Sequence, residues 1–272
     1  MKKIFKKHIF VTTIIVSSLI LASCEKEVDV DLRSVESRLV IEGKVVKDSL
    51  ATVRLTTTKD FYDDNNFLPV TDAVVVITDD AGHGDTLAYD AISKLYRSST
   101  IYGIEKRTYN LSVKYKEIEY TSTSTMPPLV PLDSVTLAFL YPGMDYPFPY
   151  VHLKDPLGEE NQYYRFPVYV NGKRIVKDDA AYSAEYNDGQ KIVLPITVFP
   201  ENNSDEDPIK QGDTILIESQ CIDKGAFLYF STLADIDNSL NNPTTNIKGG
   251  ALGYFSAYSV DRKSIIAKWD EK

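Results

Sequence analysis

Leu39-Val40-Ile41-Glu42-Gly43-Lys44-Val45-Val46 decides the fold class. Its β-branched residues suit a pleated, half-buried surface better than a helix. The pattern repeats outward from it. Val53-Arg54-Leu55-Thr56 alternates apolar and polar residues with period two. Ala73-Val74-Val75-Val76-Ile77 is a near-continuous apolar run, as expected of a central strand covered on both faces. Asp79-Asp80-Ala81-Gly82-His83-Gly84-Asp85 supplies a turn. Leu87-Ala88-Tyr89, Leu95-Tyr96-Arg97, Tyr109 to Tyr115 and Ile118-Glu119-Tyr120 continue the series. A strand about every ten residues, with turns between, predicts a β-sandwich over residues 38–126.

Pro127-Pro128-Leu129-Val130-Pro131 interrupts the pattern and reads as a stiff linker. A second β domain is expected over 132–272. Its strands include Ser134 to Leu140, Tyr163 to Val170 and Ile192 to Phe199. Asn171-Gly172 predicts a tight hairpin into Lys173-Arg174-Ile175-Val176. Pro167 would demote its strand to an edge or a bulge. Gly225 to Leu240 is the one helical candidate, with Phe227, Phe230 and Ala234 at helical spacing. The expected class is therefore mainly β, with two β-sandwich-like domains and one short helix near the C-terminus. The strand order is similar to immunoglobulin-like or transthyretin-like modules, a likeness that carries no function.

Residues 1–23 read as a lipoprotein signal peptide. Lys2, Lys3, Lys6 and Lys7 form a basic start, and Ile9 to Leu21 form an apolar stretch too short to span a bilayer. Leu21-Ala22-Ser23-Cys24 resembles a bacterial lipobox, which makes Cys24 the site of lipid attachment. Residues 24–37 form an acidic tether, whose Glu25-Lys26-Glu27-Val28-Asp29-Val30-Asp31 run resembles a surface-export signal of Bacteroidota lipoproteins. The formal charge is −9 over 272 residues, and the leader removes four lysines and no acid, so the mature chain is near −13. An acidic surface of this size argues against nucleic acid, which is bound through clustered Lys and Arg. With Cys24 lipidated, Cys221 is left alone in a strand-like segment and reads as a small buried residue.

The lipobox, the acidic start and Arg38-Leu39-Val40-Ile41-Glu42-Gly43 resemble an uncharacterised outer-membrane lipoprotein family of Bacteroidota, a domain-of-unknown-function family (series number 4249). So do the Asp-Ala-x-Val-x-Ile strand at Asp72 to Ile77 and the closing Asn246-Ile247-x-Gly249-Gly250-x-x-Gly253-Tyr254-Phe255 motif. The likeness spans essentially the whole mature chain. It implies a role in uptake at the cell surface beside TonB-dependent outer-membrane transporters, and it assigns no catalytic residues.

The chemistry of the chain points to binding. His83 and His152 lack the short-range partners of a zinc site. Asp235-Ile236-Asp237-Asn238 fails as a calcium loop, because Leu240 and Asn246 stand where Gly and Glu are needed. Asp63 to Asn66 and Asp205 to Asp207 read as solvated turns. Gly249-Gly250-Ala251-Leu252-Gly253 precedes a strand, so its glycines suit a tight backbone approach better than a phosphate cradle. Tyr141, Tyr146, Phe148 and Tyr150 sit within ten residues, either packing the core or forming a contact surface. With Gly249, Gly250, Tyr254 and Phe255 they are the expected partner or ligand contacts. The expectation is a lipid-anchored outer-membrane protein, facing the exterior. It would serve as an accessory or ligand-capturing subunit of a TonB-dependent system, with no cofactor, metal or covalent chemistry. The alternative is a structural or adhesive surface protein.

Overall fold

The computed structural model describes residues 37–59, 67–158, 162–175, 181–199, 207–236 and 241–270. Cys24, the signal peptide, the acidic tether up to residue 36 and both acidic turns at 63–66 and 205–206 lie outside them. The first half supplies β1 (Leu39–Val46), β2 (Leu50–Thr57), β3 (Val74–Asp79), β4 (Gly84–Thr86), β5 (Ala88–Asp90), β6 (Leu95–Tyr102), β7 (Thr108–Tyr115) and β8 (Ile118–Thr125). The second supplies β9 (Leu132–Ala138), β10 (Phe148–Lys154), β11 (Tyr163–Arg165), β12 (Val168–Val170), β13 (Lys173–Ile175), β14 (Ala181–Ser183), β15 (Lys191–Pro195), β16 (Thr214–Ile222), α1 (Lys224–Ala234) and β17 (Leu252–Ile266). The chain is mainly β with one short helix near the C-terminus among the described residues.

A single long sheet runs β13-β12-β16-β17-β1-β2-β6-β5, with β11 also on β16 and β14 on β11. Its keystone is β17. The first half of β17 pairs in parallel with β1, from Val40 opposite Leu252 to Val46 opposite Tyr258. Its second half pairs antiparallel with β16, from Cys221 opposite Ser259 to Thr214 opposite Ile266. The segment expected to close the C-terminal domain thus also completes the N-terminal sheet. Residues 127–131 do not divide the cores cleanly: Val130 packs in the second hydrophobic cluster, Ile247, Phe255 and Ala257 pack in the first, and the long sheet runs across both.

Directly paired residues on adjacent strands point to the same face. That parity sorts the long sheet. One face carries Ile41, Val53, Leu55, Phe255 and Ala257, which pack with Val75, Ile77, Leu111 and Val113 of the small sheet β4-β3-β7-β8. Further along, the same face carries Ile215, Ile217 and Cys221, packed with Val135, Val151 and Leu153 of β15-β10-β9. The opposite face carries Tyr254, Tyr258, Ile222 and Tyr163, covered by Ala226 and Phe230 of α1. Burying a Phe side chain contributes about 2–3 kcal/mol, so Phe230 anchors the helix. Asp223 caps it, accepting from Ala226 N at 2.9 Å and from Ser124 Oγ at 2.5 Å. The cap therefore also ties α1 to β8.

Several local expectations change. Val74 is 53% exposed and β3 alternates buried and open positions, because the small sheet has one face on the core and one on solvent. Ala73–Ile77 is thus not covered on both faces. Pro167 cuts the expected strand into β11 and β12, yet both pieces still pair with β16. The expected strand from Ile192 to Phe199 ends at Pro195. The helix runs from Lys224 to Ala234, and the expected end at Leu240 lies outside the described residues. Asn171-Gly172 does form the tight hairpin, with φ of 50° and 80°, between β12 and β13.

The closing motif is architectural. The Asn246 amide brackets Phe255, donating to its carbonyl at 2.7 Å and accepting from its N–H at 2.9 Å. Arg38 donates to Gly250 O at 2.7 Å. Gly253 holds φ +95°, and a Cβ there would lie 2.0 Å from Ile41 O on the parallel partner strand. Gly250 has a similar φ of +93° with nothing within 4 Å. Gly253→Ala is therefore expected to cost about 3 kcal/mol, against about 1 kcal/mol for Gly250→Ala, where only the left-handed φ is strained. Urea unfolding of both variants checks this; equal losses would mean that the close approach of β1 and β17 is not what Gly253 protects.

Candidate functional site

The helix does not cover its whole face of the sheet. Beside its C-terminal turns lies a cavity of about 480 Å³. Its floor comes from period-two alternation on β1, where Glu42 and Lys44 point away from the Ile41 and Val45 core. Opposite them on β2 stand Arg54 and Thr52, and beside Glu42 on β17 stands Tyr254. Arg165 of β11 and Arg174 of β13 enter from the far side. Tyr229, Phe230, Leu233 and Ala234 of α1, with Leu95 of β6, form the walls.

The charges are lopsided. Among the described lining residues, Lys44, Arg54, Arg165 and Arg174 face a single carboxylate, Glu42. Glu42 sits 3.7 Å from the Arg54 guanidinium, near enough for an ion pair and too far for a hydrogen bond. Arg165 is only 7% exposed. Its guanidinium lies 3.8 Å from the centroid of the Phe230 ring and donates to Gln220 at 3.1 Å. Gln220 donates to Glu218 at 2.8 Å, and Glu218 accepts from Arg262 at 2.7 Å. This relay and the cation–π contact hold Arg165 in place. The Lys44 side chain makes no hydrogen bond or ion pair with a described residue. Burial holds its amine below the usual lysine range; Glu42 opposes that shift, while Arg165, Arg174 and Arg54 add to it. Burial also pushes the Tyr229 phenol up to about 12 and the Tyr254 phenol higher still, so both remain neutral donors. The arrangement can hold a ligand by charge, hydrogen bonds and ring faces. None of its described residues is His, Cys or Ser.

Of the contacts expected from sequence, only Tyr254 lines this cavity. Phe255, its neighbour, points to the other face and is fully buried against Gly43. Phe148 is buried between Tyr146 and Phe199, with ring centroids 5.7 and 5.9 Å away. Alternation along β17 sends Phe255 inward, whereas Phe148 shares the open side of β10 with Tyr150 and His152 and is buried there by the Tyr146 and Phe199 rings. Tyr146 is half-buried and donates to Val198 O at 3.2 Å, and Tyr150 is half-buried on β10. Tyr141 is 60% exposed. Gly249 and Gly250 are exposed, with Gly249 against Glu119 and Tyr120 of β8. These residues do not converge on one site. Sequence reasoning passed over Glu42, Lys44, Arg54, Arg165, Arg174 and Tyr229. On the strands the signal was available in part, since Glu42 and Lys44 are polar at i and i+2, but that pattern reads equally as a solvent face.

A family model described as a domain of unknown function (DUF4249) matches residues 25–264, and the chain belongs to that family. No curated protein matches it.

The remaining reactive side chains are structurally engaged. His83 Nδ1 lies 2.9 Å from the Asp79 carboxylate, which also accepts from Arg107 at 2.9 Å. His152 Nε2 lies 2.9 Å from Thr136 Oγ1 on the neighbouring strand. Among the described residues no group of three or more His, Cys, Asp or Glu is placed to hold a metal ion. Cys221 is fully buried, accepts from Val130 N at 3.3 Å, and burial pushes its thiol up to about 11. A thiol so buried and so rarely ionised should resist a disulfide reagent at pH 8 until the protein unfolds. Labelling rates with and without denaturant check this; rapid modification of the native protein would show Cys221 to be accessible.

Proposed function

We propose that the protein is a lipid-anchored, outward-facing lipoprotein of the outer membrane that captures a small ligand in the cavity beside α1. On this reading it is an accessory subunit of a TonB-dependent uptake system and acts by binding alone. The observation that carries the reading is the cavity: its volume falls within the usual range for small-molecule sites, and its walls combine aromatic and apolar surface with a few convergent polar groups. The lipobox at Leu21 to Cys24 and the acidic run behind it support the location. A lipid-anchored subunit needs no membrane-crossing helix, and no described helix is long and apolar enough to be one.

The test is purification of the native lipidated protein from detergent-solubilised outer membranes, followed by mass spectrometry of accompanying polypeptides and of small molecules released by heat. The expected result is a stoichiometric transporter and a compound released by the wild type. Ala234→Trp, at the exposed rim of the cavity, is expected to fold normally and release far less of it. Identical release from both proteins would remove the cavity as the capture site. A missing transporter, in a detergent that preserves other membrane complexes, would favour a structural or adhesive role.

A further inference from the structure

The chemistry of the cavity narrows its ligand, an inference that rests on the capture reading above. The mature chain is strongly acidic, near −13, so a surface patch drawn at random should be negative. Among its described lining residues this cavity reverses that balance, with four cations and one carboxylate. Clustering like charges in a partly enclosed site costs stability, and functional sites are where such arrangements are found. Two of the cations have capacity to spare. Lys44 is half-buried, its side chain makes no hydrogen bond or ion pair to a described residue, and its ammonium carries three donors. Arg54 stands beyond hydrogen-bonding distance of Glu42, so its planar fork is not committed there. The opposite wall is apolar and aromatic, through Tyr229, Leu233 and the ring of Tyr254.

We propose that the cavity takes a small organic anion, a carboxylate or phosphate held between Lys44 and Arg54 with an apolar or aromatic body against Tyr229, Leu233 and Tyr254. A point-charge amine beside a planar guanidinium is a common cradle for such oxyanions. Arg165 and Arg174 extend the positive field behind Lys44, and an anion there would relieve the repulsion that these groups impose on the lysine. The Glu42 carboxylate alone would attract a cationic ligand, but the four cations around it repel one, so the selectivity runs toward anions.

The test uses the full chain and four probes of similar size. Benzoate and phenyl phosphate carry the charge, and benzyl alcohol and benzamide are their neutral counterparts. Melting temperature and titration calorimetry are measured for the wild type, Lys44→Gln and Ala234→Trp. The expected result is binding and thermal stabilisation by the two anions at millimolar concentration and little by the neutral probes. The stronger of the two anions identifies the carboxylate or phosphate class. Lys44→Gln should weaken anion binding about tenfold or more, the value of a charge-assisted hydrogen bond. It should leave the ligand-free melting temperature equal or higher, since it removes a crowded cation. Loss of ligand-free stability with unchanged anion affinity would make Lys44 structural and overturn the proposal. Neutral probes that bind as well as the anions, or anions that do not bind at all, would also overturn it. In either case the release of a native compound by the wild type and its absence from Ala234→Trp would show that the capture reading still holds. Anion binding untouched by Ala234→Trp would place the anion site elsewhere and overturn the proposal.

Discussion

The close backbone approach of β17 to β1 is the constraint on which the rest of the structure depends. Gly253 has a left-handed φ that places its α-carbon against the Ile41 carbonyl, where no side chain fits. Gly43 leaves room for Phe255 directly opposite. With those two glycines in place, one 15-residue strand can lie parallel to β1 and then continue antiparallel along β16. The bracket of Asn246 on Phe255 and the Arg38 contact with Gly250 fix the register. A one-residue slip would exchange every inward and outward side chain along the strand.

That register creates two unlike faces. On one, Phe255 and Ala257 join cores sealed by two small antiparallel sheets. On the other, Tyr254 and Tyr258 receive α1, which is too short to cover the strands beside it. The uncovered part becomes the cavity, and its charged groups arrive from four strands of both halves of the chain. Glu42 and Lys44 come from β1, Arg54 from β2, Arg165 from β11 and Arg174 from β13. The overall negative charge does not cancel this local field. Exposed charges more than about 8 Å away are largely screened at physiological ionic strength, while those inside a partly enclosed site are screened much less.

The strands were largely legible because period-two alternation is a local property. The Asn171-Gly172 hairpin was legible because a tight turn needs positive φ at both positions. The helix was legible from Phe227, Phe230 and Ala234, but its Asp223 cap was not read from the sequence. The aromatic segment at 141–150 was the least informative stretch. Tyrosine and phenylalanine serve cores and interfaces equally well, and only the packing of Phe148 against Tyr146 and Phe199 separates those uses. The alternation of buried and open positions along Ala73 to Ile77 has the same origin, since an apolar run does not say how many layers will cover it.

The sequence by itself determined the mainly β class, the short helix, the acidic balance and the glycine-rich close that admits β17. These follow from propensities, alternation and backbone freedom, which act over a few residues. The tertiary structure alone decided that β17 joins two halves in one sheet, which face each polar pair takes, and that Lys44, Arg54, Arg165 and Arg174 meet. Strand order depends on contacts between residues up to about two hundred positions apart, such as Arg38 and Gly250. No local pattern encodes such pairings, because their energy comes from burying whole faces together and not from any one segment.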